Sequence, residues 1–413
     1  MQNKKIVIIG DDIRQPTGVG NILRAISLEL SQKYGIVQIA AGLDSSEIID
    51  ISESVSKATK NPKAYFKLYG TSEYGSLDLL RNVIRTESAS AILIMTDPHR
   101  FNWLFEAEHE VRSLCPIYYY HVWDNTPYPN FLSSVYNSCD AIGCISKLTY
   151  KCVTNVVTDH PRVKYTPHGI NTKKFYPQDD KMISQNRKDF LGKDYDFVLF
   201  CNATNIQRKE FSLLISGFNE FYNKLSKKNK EEVVLLIHTN PTAPNGLNIN
   251  SILDDLYAEL PVLISDEIVL EPILNNMYNL SSCVINISSN EGFGLSTLEA
   301  VATKTPIIVN NTGGLKDQIN EEWTEVVEPS VTCIRGTQQT PYIHADYVDP
   351  KSVGKSINNL YKRRKDIKMD SYLDFLKDNN FTEESMCSDI SSQIDELIYN
   401  YKQPERFRFS KIT

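Results

Sequence analysis

Glu291 and Glu299 bracket a glycine turn in the stretch Ser289-Asn290-Glu291-Gly292-Phe293-Gly294-Leu295-Ser296-Thr297-Leu298-Glu299-Ala300. The apolar-periodic run beginning near Leu295 reads as a helix, so the N–H groups at its start, from Gly292, Phe293, Gly294 and Leu295 onward, can face an anion. One acid precedes that cradle and another lies inside the helix. A ligand carrying both phosphate and hydroxyl groups suits the arrangement, and a nucleotide sugar fits that description.

A second group lies upstream. Arg208 and Lys209 close a polar loop, Asn202 to Glu210, where the chain turns into an apolar helix, and Asn202 and Asn205 sit beside them. Two cations and the N–H groups of a helix start can converge on one anion. Read alone, an Arg–Lys pair is usually solvated surface. A third cluster, His121-Val122-Trp123-Asp124-Asn125-Thr126-Pro127, ends an apolar strand, and Asp97-Pro98-His99-Arg100 ends the one before it. The carboxyl ends of parallel strands are where open α/β sheets bind ligands, although a histidine among aromatics is often a core or capping residue. Gly18-Val19-Gly20 follows the first strand, where the two glycines serve a tight turn or line a ligand cleft. The full GxGxxG fingerprint is absent. Asp11-Asp12 reads as turn polarity rather than a metal site.

These residues must be held by strands and helices, and the pattern supplies them. Strands are expected at Ile6 to Ile9, Val37 to Ala40, Ala91 to Met95, Ile117 to Tyr120 and Ala141 to Ser146, with helices over Ile22 to Leu30, Leu77 to Thr86 and from Lys147. Alternating strands and helices mean an open parallel sheet. The polar, aperiodic Gln178-Asp179-Asp180-Lys181 reads as a domain boundary, after which the pattern restarts. It gives strands at Phe197 to Cys201, Val233 to His238, Ile268 to Leu270, Cys283 to Ile287 and Ile307 to Val309, and helices at Phe211 to Phe218 and Ile273 to Ser281. The charged run Lys224 to Glu232 is solvated surface. Val353 to Leu360 and Glu383 to Tyr401 are helical in pattern, and Gln403 to Thr413, with Arg406, Arg408 and Lys411, reads as a partly disordered tail.

Bulk properties agree with a two-domain globular chain: 413 residues, 41% hydrophobic and 23% charged. No apolar run approaches a membrane span, and the short start before Ile6 is too brief for a signal peptide, so a cytoplasmic protein is expected. The eight cysteines form no CxxC pair, which points to reduced, structural thiols and no zinc site. A net charge of −7 gives no global reason to bind nucleic acid or anionic lipid, though a local basic groove would survive that average.

Four segments together resemble the family 4 (GT4) retaining glycosyltransferases of the GT-B fold. They are the N-terminal strand with Gly18-Val19-Gly20; Tyr165-Thr166-Pro167-His168-Gly169-Ile170-Asn171-Thr172-Lys173-Lys174-Phe175-Tyr176-Pro177; Arg208-Lys209-Glu210-Phe211-Ser212-Leu213-Leu214-Ile215; and the Glu291 to Ala300 segment, the family's E-x7-E signature. The resemblance implies an α/β protein of two facing Rossmann-like domains, a parallel sheet in each, and a C-terminal helix crossing back. The domains would be 1–180 for the acceptor, 193–380 for the nucleotide sugar, and 381–413 for the returning helix and tail. It further implies that Glu299 accepts hydrogen bonds from the ribose, Glu291 lies by the donor sugar, Lys209 and Arg208 neutralise the pyrophosphate, and His121 stands near the donor sugar. Gly313 and Gly314, in Thr312-Gly313-Gly314, would form the turn behind the phosphates. His168 would shape the approach to the linker. The implied reaction moves a sugar from a UDP- or GDP-sugar to a hydroxyl with retention, by front-face displacement, with no metal and no cofactor beyond the donor itself. A nucleotide-sugar epimerase or hydrolase, or a non-catalytic sugar-nucleotide-binding protein, are the alternatives. The acceptor is left open among saccharide, lipid-linked, protein, small-metabolite and modified nucleic-acid hydroxyls. The family's Gly-Arg ahead of the lysine is missing, since that region reads Cys201-Asn202-Ala203-Thr204-Asn205, and Arg208 stands in for its charge.

Overall fold

In the computed structural model, residues 4–44, 47–158, 160 and 162–402 are described, and the chain divides into two compact units. The first takes in Met1–Trp123, Tyr128–Pro167 and Glu384–Thr413, the second Asp124–Pro127 and His168–Glu383. The tail from Gln403 and the first three residues lie outside the described residues. The polar stretch 178–181 falls inside the second unit.

Unit 1 is an eight-stranded sheet. Its strands are β1 (Lys5–Asp11), β2 (Gly35–Ala41), β3 (Ile49–Asp50), β4 (Phe66–Thr71), β5 (Ala89–Ile94), β6 (Ile117–His121), β7 (Ala141–Cys144) and β8 (Val163–Tyr165). The spatial order is β3-β4-β2-β1-β5-β6-β7-β8, parallel throughout except for the short edge strand β3. Ile6 to Ile9, Ala91 to Ile94 and Ile117 to Tyr120 are fully buried, as strands covered on both faces require. Helix Gly18–Leu30 covers one face through Ile22, Leu23, Ile26 and Leu30, a single stripe at helical spacing. Helix Leu77–Glu87 does the same with Leu80, Val83 and Ile84, and Ser76 caps it by accepting from the Leu79 N–H.

The C-terminal helix, Glu383–Asn400, completes this unit from Glu384 on. Ile390, Ile394 and Leu397 are completely buried. Its polar side chains are tied down as well: Asp395 accepts from Tyr34 Oη at 2.5 Å and Lys33 Nζ at 2.9 Å, and Gln393 donates to Thr166 Oγ1 at 2.9 Å. Burial of that apolar stripe, at about 1.5–3 kcal/mol per side chain, holds the helix where it is.

Unit 2 has a six-stranded, all-parallel sheet in the order β11-β10-β9-β12-β13-β14. The strands are β9 (Phe197–Asn202), β10 (Val233–His238), β11 (Val262–Ser265), β12 (Cys283–Asn286), β13 (Ile307–Asn310) and β14 (Thr324–Val327). A separate antiparallel hairpin pairs β15 (Val331–Arg335) with β16 (Ile343–Tyr347). The core lies where helix Phe211–Tyr222 brings Phe211, Leu214, Ile215, Phe218 and Phe221 together with Val353, Ile357 and Leu360 of helix Pro350–Arg363.

Two local expectations change, and one element was not expected. The apolar Ile268-Val269-Leu270 is not a strand: Ile268 and Leu270 are 83% and 75% exposed, and the edge strand is Val262–Ser265, paired with β10. The expected boundary at 178–181 runs into helix Asp180–Leu191, which Asp179 caps by accepting from Met182 N at 2.8 Å; none of its side chains is buried, so no apolar stripe announces it. The β15–β16 hairpin is likewise unannounced, because its outer residues alternate nothing and Val331 and Ile334 remain exposed. Among the described residues, no helix is long and apolar enough to cross a membrane.

Candidate active site

The glycine turn is built at the carboxyl end of β12, and helix Leu295–Ala302 starts where the sequence places it. Gly294 precedes the helix at φ +92°, and a Cβ there would stand 2.5 Å from Leu315 Cδ2. Gly313 and Gly314 open a 3-10 turn that presses on this segment: the Gly314 N–H donates to Glu291 O at 2.8 Å, and a Cβ on Gly314 would lie 2.1 Å from Gly292 O. Only glycine permits that approach. Gln318, fully buried, locks the turn from behind. Its amide donates to Phe293 O at 2.8 Å and Gly294 O at 3.0 Å, and its carbonyl accepts from Thr297 Oγ1 at 2.7 Å. The first-turn N–H groups of the helix have no intrahelical acceptors, so the turn presents a positive end. His168 sets its ring edge-on to Phe293, with centroids 5.2 Å apart, and burial pushes its imidazole down to about 3.

Arg208 and Lys209 lie in the short 3-10 turn Gln207–Lys209, and both reach the Glu291 carboxylate. Lys209 Nζ donates to it directly, Arg208 Nη1 donates at 3.1 Å and Ser288 Oγ at 3.2 Å. Arg208 Nη1 also donates to Asn290 O at 3.0 Å, and its Nε lies 3.5 Å from Asp124 Oδ2. Burial works to raise the Glu291 carboxyl, but the charges of Lys209 and Arg208 outweigh it and hold the group at about 2. Burial pushes the Lys209 amine below its ordinary range, against the pull of Glu291. Two cations thus share one carboxylate beside a helix start.

Glu299, one face further along the helix, accepts from Tyr278 Oη, and Tyr278 Oη accepts from Asn202 Nδ2 at 2.9 Å. Tyr278 is completely buried, from helix Glu271–Leu280, and nothing in its sequence neighbourhood marks it. Burial raises the Glu299 carboxyl to about 7, with the nearby Glu271 charge adding to it and the Tyr278 hydrogen bond opposing it. Asn202, Tyr278 and Glu299 thus form one chain of hydrogen bonds.

Asp346 is the other residue that sequence reasoning missed; it joins Asn125 and Thr312, which the sequence offered only within longer stretches. Asn125 Nδ2 donates to Asp346 Oδ2 at 2.7 Å and to Thr312 Oγ1 at 3.1 Å, and the Asp346 N–H donates to Ser289 O at 2.6 Å. Through β16 the hairpin therefore braces both the 124–127 segment and the start of the glycine turn.

In unit 1, Gly20 is buried in the first turn of helix Gly18–Leu30, its N–H taken at 2.9 Å by the Thr17 side chain, and Gly18 is exposed at the helix start. His121 ends β6 and is completely buried between Tyr119, Trp123 and Tyr136. Its Nε2 pairs with Tyr136 Oη at 2.9 Å, and Nδ1 has no partner among the described residues. Burial pushes the imidazole down to about 3, so it is neutral at any physiological pH. No group of three or more His, Cys, Asp or Glu among the described residues is placed to hold a metal ion.

Comparison with known proteins adds the following. Residues 177–370 match a family model described as family 4 glycosyltransferase in conflict systems, GT4-conflict. A curated relative, an uncharacterized glycosyltransferase of Methanocaldococcus jannaschii, is 26% identical over 194 residues, 46% of each chain, so the chain spans less than half the length of that relative. Anabaena HepE in complex with UDP-glucose superposes with a TM-score of 0.70 at 13% identity, covering 95% of this chain and 100% of that one. Sucrose-phosphate synthase of Thermosynechococcus elongatus gives a TM-score of 0.72 at 14% identity, over 96% and 99% of the two chains. The fold is GT-B.

Proposed function

We propose that the protein is a retaining glycosyltransferase that takes a UDP- or GDP-sugar as donor and a hydroxyl as acceptor, a reading supported by the match of residues 177–370 to a family 4 glycosyltransferase model and by the GT-B fold. The observation that carries this is the convergence of Arg208 and Lys209 on Glu291 at the turn that opens helix Leu295–Ala302. The presence of UDP-glucose in the HepE complex supports a UDP-sugar.

On this reading the diphosphate draws Arg208 and Lys209 from Glu291, and the freed carboxylate meets hydroxyls of the donor sugar. Glu299 takes the ribose hydroxyls. In the reacting step the bond between the anomeric carbon and the diphosphate oxygen breaks, and the acceptor oxygen bonds to the same face. The acceptor proton passes to the departing diphosphate. The leaving group gains negative charge as that bond breaks, so cations and helix-start N–H groups placed there stabilise the transition state more than the bound substrate. His121 enters as a neutral group in the acceptor unit. The charge is met by protein cations, and no metal is invoked.

The test is a screen of UDP-, GDP- and ADP-sugars for binding and turnover, with Glu299→Ala and Lys209→Ala alongside. One donor series should bind and turn over, Lys209→Ala should lower turnover by about a hundredfold, and Glu299→Ala should weaken nucleotide binding. Parent-like behaviour of both variants on every donor would sink the assignment. Rapid donor consumption that no acceptor accelerates would favour a hydrolase.

A further inference from the structure

Asp346, in β16, is buried beside the glycine turn, and its carboxylate is held from several directions. Thr332 Oγ1 donates to Oδ1 at 2.6 Å from the paired strand β15, and Asn125 Nδ2 and Thr312 Oγ1 both donate to Oδ2 at 2.7 Å. The backbone of the same residue is engaged as well: its N–H donates to Ser289 O at 2.6 Å, and its carbonyl accepts from Asn310 Nδ2 at 2.7 Å. One residue thus touches the 124–127 segment, the end of β13, the start of the glycine turn and the residue before Gly313. Burial works to raise the Asp346 carboxyl, but the hydrogen bonds of Thr332, Thr312 and Asn125 and the charge of Lys316 hold it below its ordinary range. An ionised acceptor makes these bonds charge-assisted, about twice as strong as neutral ones.

The segments joined in this way carry the groups of the anion site. Gly313 has φ +50°, and a Cβ there would overlap Glu291 O and stand 2.5 Å from Asp124 O. The backbones of residues 124, 291 and 313 therefore meet at one point, and a shift of any one displaces the others. Asp124 in turn steadies Arg208, with Oδ2 3.5 Å from Nε, and Arg208 O accepts from the Ser289 N–H at 2.8 Å. Asp346 therefore bears on Arg208 along two routes, through Asn125 and its neighbour Asp124, and through Ser289.

We propose that Asp346 is a positioning residue for the diphosphate: through Asn125, Thr312 and Ser289 it fixes Gly313 and Arg208 where the second phosphate of the donor is met. This rests on the glycosyltransferase reading above, and Asp346 acts through its neighbours rather than by touching substrate. A residue that only holds the fold together would affect stability, or all ligands alike. A positioning residue affects the phosphate that the aligned groups receive, and so a diphosphate more than a monophosphate.

The full-length protein is titrated by calorimetry with the nucleoside diphosphate of the donor selected by the screen and with the matching monophosphate, and urea unfolding is followed alongside. Asp346→Asn can turn its NH2 toward Thr332, whose hydroxyl also accepts, and present Asn125 and Thr312 with a neutral carbonyl, so the shape is kept and the charge assistance is lost. Thr312→Val removes the hydroxyl at similar volume, and Thr312→Ser restores it. In Asp346→Asn and Thr312→Val the diphosphate Kd is expected to rise about tenfold and the monophosphate Kd by less than about threefold, with Thr312→Ser within about twofold of the parent. Thr332 is exposed, so Thr332→Val, which removes one donor from Asp346, keeps the test open if the buried variants do not fold, and a rise of about threefold in the diphosphate Kd alone is expected there. A diphosphate Kd unmoved in the folded variants, or a rise shared equally by the monophosphate, overturns the proposal while the glycosyltransferase reading stands. If the parent binds neither nucleotide, that reading fails and takes this proposal with it.

Discussion

Glu299 shows how far burial moves a side chain, even against the hydrogen bond of a buried neighbour, Tyr278. Its carboxyl sits at about 7, well above its ordinary 4.5, so the protonated form dominates below neutral pH. That contribution to stability is full below pH 4.5 and is lost as pH rises through about 7. Ribose hydroxyls are donors and need the carboxylate, so nucleotide binding pulls the other way. Nucleotide affinity, read by calorimetry, is expected to climb between pH 6 and 8 in the parent and to stay flat in Glu299→Gln. Tyr278→Phe removes the bond to Glu299 and the acceptor for Asn202, and a three- to tenfold loss of nucleotide affinity is expected, about 1 kcal/mol. An unchanged Kd in that variant would detach Tyr278 from the site. Glu291 and Glu299 stood out as candidates in the sequence because acids flank a glycine turn, whereas Arg208 and Lys209, read alone as surface, stood out only through the family resemblance of their segment. Tyr278 did not, because it is one aromatic in an amphipathic helix, and its hydroxyl meets Glu299 only once the helix docks on β9.

The elements around the turn were read more completely than their supports. Buried parallel strands announce themselves as unbroken apolar runs, and β12 and β13 fall where such runs occur. Ile268-Val269-Leu270 carries the same signal and is exposed, since edge pairing with β10 goes to Val262–Ser265 instead. Three-residue apolar runs do not say which of two neighbours finds a partner strand. The hairpin and the Asn125–Thr312–Asp346 network were illegible for a different reason: their polar residues satisfy one another at long sequence separation. The turn's geometry makes its own prediction. In Gly314→Ala the new methyl meets the Gly292 carbonyl oxygen, so the two loops must part. Urea unfolding is expected to show a loss of about 3 kcal/mol in the transition of unit 2, and nucleotide affinity should fall more than tenfold. A variant with parent-like unfolding and affinity would mean the loops give way freely.

For the molecule as a whole, the last helix belongs to the first unit. Ile394→Ala removes a completely buried side chain there and is expected to cost unit 1 about 3 kcal/mol, while nucleotide Kd stays within about twofold. A nucleotide site that failed together with unit 1 would contradict this. The order of the chain then matters during synthesis. Residues 168–383 emerge before the helix that finishes the unit begun at the N-terminus. Domains generally fold from the N-terminus as they are made, but here the first sheet must wait, with the seat of Ile390, Ile394 and Leu397 uncovered, until residues 384–400 have been made. A nascent chain arrested near residue 383 should therefore bind nucleotide while its N-terminal half is still open to chaperones and proteases.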